Sequence, residues 1–210
     1  MIRIIIADDH VLVREGLKRV FLNEPDLQIV GEANTGTGAL ELLNNTPCDV
    51  LMLDLSLPDR NSLDVIQEAK KLRPGLPILV LSIYSEESFG VRTIRAGADG
   101  YLLKTAAGHE LIKAVRRVVQ GGKYVSTSLA EQLVSNVQAG TARPAHQKLS
   151  AREFQILRMI AGGKSTSRIA GELHLSISTV NTYRSRILEK LNMHTNAELI
   201  HYAIKNGLVV

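Results

Sequence analysis

Asp8, Asp9, Asp54, Ser82 and Lys104 are the residues of this chain whose types suit phosphoryl chemistry. Clustered carboxylates repel one another and call for a cation, and an all-oxygen ligand set selects a hard one such as Mg2+. Mg2+ keeps part of its water shell and bridges to phosphate oxygens, so the set describes a phosphate site rather than a structural metal cage. Asp54 is the nucleophile such a site needs, forming an aspartyl phosphate while the metal offsets charge in the transition state. Lys104 supplies positive charge to the same phosphoryl group, and the Ser82 hydroxyl supplies a hydrogen bond. Each residue alone reads equally well as a helix cap or a surface ion pair. Their shared position at strand ends is what joins them.

The strands that must deliver them are legible. Val50-Leu-Met-Leu53 is an unbroken apolar run, as suits a strand buried on both faces of a parallel sheet; it stops on Asp54, and Pro58 then forces a turn. Ile2–Asp8 reads as a first strand, Leu27–Ala33 as a second and Pro77–Ser82 as a fourth. A short fifth lies within Gly97–Lys104. Helical spacing falls between them: Val13, Leu17, Val20 and Phe21, then Gly38–Leu43, then Leu63, Ile66 and Ala69, then Phe89–Arg95, with Leu111–Val119 last. This alternation predicts an α/β domain, a doubly wound five-stranded parallel sheet with helices on both faces, over residues 1–122. Asp8 and Asp9 end the first strand, Asp54 the third, Ser82 the fourth and Lys104 the fifth. All reach the carboxyl edge, where open α/β sheets bind ligands.

The chain has 210 residues, 45% of them hydrophobic, enough for two cored domains. A single cysteine, Cys48, excludes an internal disulfide and fits a reducing compartment. No apolar run approaches membrane-spanning length, and the amino terminus enters a strand rather than a signal peptide. The expectation is a cytoplasmic protein without membrane contact. Charge is shared unevenly. Residues 1–122 carry 14 Lys and Arg against 16 Asp and Glu, whereas residues 147–210 carry 9 against 4. An acidic front and a basic back imply two tasks, with nucleic acid a candidate partner for the second.

Gly121-Gly122 closes the first domain. Residues 123–146 form a connector, with a helix over Leu129–Val137 and a linker over Ala139–Gln147. From there the period is helical. Ser150 and Glu153 have capping-box spacing for a helix through Ile160, and Gly162-Gly163 ends it. Thr166–Leu173 is a second helix, a third runs to Leu191, and Thr195 caps a fourth through Lys205. Residues 147–210 are therefore a small all-α, four-helix, helix-turn-helix domain. In the third helix Val180, Ile187, Leu188 and Leu191 share an apolar face; Asn181, Thr182, Arg184, Ser185 and Lys190 are left outside. Asn and Thr side chains can read base edges, and Arg and Lys neutralise phosphates.

Residues 1–122 resemble a response-regulator receiver domain in the Asp8-Asp9 pair, Asp54-Leu-Ser-Leu-Pro58, Ser82 and Ala98-Asp-Gly-Tyr-Leu-Leu-Lys104. Leu149–Val209 resembles the LuxR-type module in Leu149-Ser-Ala-Arg-Glu153, Ile169-Ala170, Leu175-Ser176, Thr179-Val180, Lys190-Leu191 and Gly207-Leu208. In this order the chain is similar to the NarL/FixJ family of two-component transcriptional regulators. That resemblance implies that Asp54 accepts a phosphoryl group from a phosphohistidine on a sensor histidine kinase. It implies Mg2+ on Asp9, Asp54 and the backbone carbonyl of Ser56, with Asp8 acting through water. It pairs Ser82 with Tyr101 as a switch. It also implies a homodimer on paired half-sites of double-stranded DNA. There Asn181, Thr182 and Ser185 face bases, Thr179, Tyr183, Arg184, Arg186 and Lys190 complete the contacts, and Asn196–Lys205 forms the dimerisation helix.

The chain departs from the family pattern in places. Asp59-Arg-Asn-Ser62 stands where glycines flanking an acid are usual, which puts an extra carboxylate beside the pocket. Ile83 is bulkier than the usual small residue and is expected to shield the acyl phosphate. Asn181 replaces a common lysine, a change expected to move base preference from guanine toward adenine. Two other functions fit parts of the chain. A Mg2+-dependent phosphatase would want a second acid two places after its Asp nucleophile, where this chain has Ser56, and would leave the basic module unexplained. A DNA-binding adaptor with a relic pocket would not need all of Asp8, Asp9, Asp54, Ser82 and Lys104.

Overall fold

In the computed structural model, which describes residues 1–138 and 144–209, five strands pair in parallel. They are β1 (Ile2–Ala7), β2 (Leu27–Ala33), β3 (Val50–Asp54), β4 (Ile78–Ser82) and β5 (Gly100–Leu103), in the order β2-β1-β3-β4-β5. Every residue of β3 and β4 is buried, which is why neither strand alternates in sequence. Helices α1 (Val11–Phe21), α2 (Gly36–Asn45), α3 (Ser62–Leu72) and α4 (Glu86–Ala96) fill the crossovers, and α5 (Gly108–Val119) follows β5. On one face Leu17 and Phe21 of α1 and Leu111, Val115 and Val118 of α5 pack with Ile4, Ile6, Met52 and Leu79. Buried Leu40 and Leu43 of α2 and Val65, Ile66 and Ala69 of α3 serve the other side. Burying each such aliphatic side chain is worth about 1.5–3 kcal/mol, so the strands are fixed and chemistry is left to the loops at their ends.

The sheet order reverses between β1 and β3, which opens a crevice at their carboxyl ends. At the opposite ends the same strands are pinned. Arg3 donates to Asp49 through its backbone N–H (2.8 Å), Nε (3.0 Å) and Nη2 (2.8 Å), and the Asp49 N–H returns a bond to the Arg3 carbonyl (2.8 Å).

Gly121 takes a left-handed turn after α5. The chain then adds one residue to the sheet: Tyr124 bridges Gly100, donating to the Asp99 carbonyl (3.0 Å) and accepting from the Tyr101 N–H (2.9 Å). Helix α6 (Thr127–Gln138) spans the expected connector helix and starts two residues earlier than Leu129. It packs on α4, where Leu129 is fully buried. By its contacts the connector therefore begins as part of the first compact unit, Met1–Thr141. Of the expected linker, residues 139–143 lie outside the described residues; from Pro144 the chain enters a 3-10 turn, Ala145–Lys148.

The second unit, Ala142–Val210, holds α7 (Ala151–Ala161), α8 (Thr166–Glu172), α9 (Ile177–Leu191) and α10 (Asn196–Lys205). The capping box of Ser150 and Glu153 forms as expected, and Thr195 with Glu198 makes a second one. Among the described residues no helix is long and apolar enough to cross a membrane.

Candidate functional site

The carboxyl ends of β1 and β3 bring Asp8, Asp9 and Asp54 together, with His10, so that one ligand atom from each lies within 4.8 Å of the others. Asp8 and Asp54 are 1% and 2% exposed. Lys104 enters from the loop after β5, its Nζ 2.6 Å from Asp8 Oδ2 and 3.1 Å from Asp54 Oδ2. Asp8 and Asp54 thus share one buried ammonium, while Asp9 faces His10. Burial pushes the Asp54 carboxyl up to about 6; Lys104 opposes the rise, and the charges of Asp8 and Asp9 add to it. Burial alone would lower Lys104, but the facing carboxylates of Asp54 and Asp8 outweigh it and hold the ammonium above its ordinary value.

This arrangement fits a hard cation. Asp8 Oδ2, Asp9 Oδ1 and Asp54 Oδ2 are buried and accept no aligned hydrogen bond, despite their ion pairs. Buried oxygens left in that state are costly unless a charge is supplied. The pocket as a whole can hold a metal ion.

His10 was not legible as a site residue. Its Nδ1 lies 2.7 Å from Asp9 Oδ1 and 3.3 Å from Asp8 Oδ1, and its backbone N–H donates to Asp8 Oδ1 (2.9 Å). Its place directly after the Asp8-Asp9 pair was the available signal. Arg14 is a second such residue, with Nη1 donating to the Asp8 carbonyl (2.7 Å).

Ser82 and Tyr101 are both buried behind the pocket. The Ser82 Oγ accepts from the Tyr84 N–H (3.0 Å), and the Tyr101 hydroxyl donates to the Tyr84 carbonyl (2.8 Å). Burial holds the Tyr101 phenol well above its ordinary value, with the Ser82 hydrogen bond opposing. Ile83 stands 59% exposed. Ser56 is buried in the β3–α3 loop, which Ser62 braces by donating its hydroxyl to the Leu55 carbonyl (2.9 Å). Asp59 does not join the acidic cluster. Its oxygens accept from the Gly36 N–H (2.7 Å), the Thr37 N–H (2.9 Å) and the Thr37 hydroxyl (2.8 Å). The extra negative charge expected beside the pocket is spent on the first turn of α2, where a helix favours an anion.

In the second unit Ser176 caps α9, accepting from the Thr179 N–H (3.0 Å), so the helix begins two residues before Thr179. His174 and Asn192 take positive φ at the turns on either side. Val180, Ile187 and Leu191 are buried; Asn181, Thr182, Ser185, Arg186 and Lys190 are exposed, and Thr179, Tyr183 and Arg184 are half-buried. Thr182 donates its hydroxyl to the Ser178 carbonyl (3.0 Å). Arg184 Nε donates to Asn196 Oδ1 (2.6 Å), and Arg186 lies over the Tyr183 ring. Lys190 Nζ donates to both oxygens of the buried Glu153 (2.8 and 2.7 Å), which ties α9 to the capping box of α7.

A parallel sheet with an acid cluster at its switch point, and a helix-turn-helix unit behind it, define a class, and comparison with known proteins gives it a name. Residues 4–116 match the response regulator receiver domain, and residues 147–203 match the bacterial regulatory proteins of the luxR family. The chain belongs to the NarL/FixJ-family response regulators, which control transcription under phosphorylation. It is 35% identical to the response regulator UvrY of Escherichia coli, over 99% of this chain and 96% of that one. With the response regulator GacA of Pseudomonas aeruginosa the figure is 36%, over 100% and 98%. RcsB of Salmonella enterica serovar Typhimurium, solved on promoter DNA with the phosphomimetic BeF3−, superposes with a TM-score of 0.59. That pair is 28% identical, over 96% of this chain and 97% of RcsB.

Proposed function

We propose that Asp54 accepts a phosphoryl group from a phosphohistidine on a sensor histidine kinase and that the phosphorylated protein binds DNA as a homodimer. The observation that carries this reading is the gathering of Asp8, Asp9 and Asp54 at the carboxyl ends of β1 and β3, with one buried ammonium set against Asp8 and Asp54. An Asp54 oxygen attacks phosphorus as the bond from phosphorus to the histidine nitrogen breaks, and the imidazole takes up a proton as it leaves. Asp9, Asp54 and the Ser56 carbonyl would hold Mg2+, with Asp8 acting through water. Bound there, the ion would neutralise charge on the transferring oxygens. Lys104 can pair with the phosphoryl group once Asp54 is phosphorylated. Ser82 reaches the group by leaving the Tyr84 N–H. The receiver modifies itself and turns over no external substrate.

In the output unit Asn181, Thr182 and Ser185 would read bases from the exposed face of α9. Thr179, Tyr183, Arg184, Arg186 and Lys190 would position it on the backbone of paired half-sites. RcsB is a solved relative that carries DNA. A cytoplasmic location follows from a DNA target and a kinase donor.

The test is DNA binding by wild type and Asp54→Asn, each with and without a small phosphodonor and Mg2+, on a site selected from random duplexes. A donor-dependent gain in wild type alone is expected. Equal binding in all four conditions would mean an adaptor with a relic pocket, and steady release of phosphate from the donor would mean a phosphatase.

A further inference from the structure

We infer that Asp59 is a positioning residue of the acceptor pocket; this rests on the reading of that pocket as a Mg2+ and phosphoryl site. The β3–α3 loop carries Ser56, whose carbonyl is a metal ligand in that reading and lies beyond the end of β3. At its far end this loop is tethered to another element. The Asp59 carboxylate takes the Gly36 and Thr37 N–H groups and the Thr37 hydroxyl at 2.7–2.9 Å. The start of α2 also packs closely on α3: a Cβ on Gly36 would stand 2.7 Å from Val65 Cγ2, so the backbone can come this near only without a side chain there.

The segment that grips Asp59 also holds the other half of the pocket. The Ala33 carbonyl accepts from the Asp8 N–H (3.0 Å), three residues before Gly36. Residues 33–37 are thus a strap from the end of β1, with its Asp8-Asp9 pair, to the loop after β3, with Asp54 and Ser56. Two charge-assisted bonds to the first turn of a ten-residue helix suit an anionic residue, and the hydrogen bonds of Gly36 and Thr37 hold the Asp59 carboxyl below its ordinary value against its partial burial. The separation between the carboxylates and the Ser56 carbonyl is set by this strap. Asp59 touches neither metal nor phosphoryl group; it acts by holding the loop that does.

The measurement is Mg2+ affinity by calorimetry on the full chain, with urea unfolding on each variant as a check that it is folded. Outer-shell supports typically contribute 10–100-fold to metal affinity, so Asp59→Ala should bind Mg2+ about ten-fold or more weakly than wild type. Asp59→Asn keeps one acceptor oxygen and should fall between them; it carries the comparison if Asp59→Ala fails to fold. Leu43→Ala empties a buried position in the last turn of α2, outside residues 33–37, and destabilises the same helix without touching the strap, so it should keep wild-type affinity. Asp59→Ala within about two-fold of wild type would overturn the inference, as would Leu43→Ala binding as weakly as Asp59→Ala, since helix stability would then be the cause. Asp9→Ala separates the two levels. Its loss of binding beside an unaffected Asp59→Ala would reject the strap and leave the metal site standing, whereas a wild-type protein that binds no Mg2+ would reject both.

Discussion

Ser82 and Tyr101 hold opposite sides of one residue: the Ser82 hydroxyl accepts the Tyr84 N–H, and the Tyr101 hydroxyl donates to the Tyr84 carbonyl. A Ser82 hydroxyl that swings its oxygen toward a phosphoryl group on Asp54 would release that N–H. The first residue of the β4–α4 loop to feel the change is the one Tyr101 holds.

The two side chains should therefore be energetically coupled. Ser82→Ala and Tyr101→Phe each remove a hydrogen bond to Tyr84, at about 0.5–1.5 kcal/mol. Because both act on Tyr84, the double variant should differ from the sum of the singles by about 0.5 kcal/mol or more. Urea unfolding of the four proteins measures this; strict additivity would mean that the two bonds are independent.

A second relationship concerns the connector. A Cβ on Gly90 of α4 would stand 2.7 Å from Leu129 Cδ1, and Ser126 at the start of α6 hydrogen-bonds Glu86. Gly90→Ala should force α6 off α4 or strain the contact, at about 1–3 kcal/mol, and Leu129→Ala should cost about 2–5 kcal/mol. Both should speed hydrogen exchange in α6 before the sheet is affected. Unchanged exchange there would show that α6 is not held by this contact.

In the output unit Asn181 and Lys190 should separate. Asn181→Ala should cost about 1–3 kcal/mol on the specific site and relax one base pair. Lys190 has its ammonium on the buried Glu153, so Lys190→Ala should also lower unfolding stability, by about 1–3 kcal/mol, through the carboxylate it strands. If Lys190 contacts phosphate as well, the slope of log affinity against log salt falls by about one unit. A stable Lys190→Ala protein with only a reduced slope would assign the residue to DNA alone.

The Asp54 carboxyl sets a pH dependence. Its folded value, about 6, lies above its ordinary 3.8, so the folded receiver binds that proton more tightly than the unfolded chain. Asp54 therefore favours folding below about pH 4, and this contribution is lost as pH rises through about 6. In metal-free buffer Asp54→Asn should be more stable than wild type at pH 8, with the advantage shrinking toward pH 4. Added Mg2+ should narrow the gap at pH 8, because only wild type keeps all three carboxylates. An advantage that grows on acidification would contradict the assignment.

The sheet and most of the pocket were legible because they depend on local pattern. An apolar run such as Val50–Leu53 that stops on an acid needs little beyond burial to become a central strand with a carboxylate at its edge. Long-range pairings were not legible. Asp59 read as surplus charge beside the pocket because its partners, Gly36 and Thr37, are 23 and 22 residues away and are backbone groups as much as side chains. Lys190 read as an outward cation because helical spacing cannot reveal Glu153, 37 residues earlier. Residues after Gly122 read as connector, since one bridge at Tyr124 and one buried Leu129 leave no periodic mark.

The central claim is that Asp54 carries the phosphoryl group. Incubating the protein with Mg2+ and a small phosphodonor, then reducing with borohydride, converts an aspartyl phosphate to homoserine at the modified position. Peptide mass spectrometry should find homoserine at position 54 in wild type and none in Asp54→Asn. Homoserine at another aspartate, or a hydroxylamine-labile label of undiminished strength in Asp54→Asn, would contradict the account.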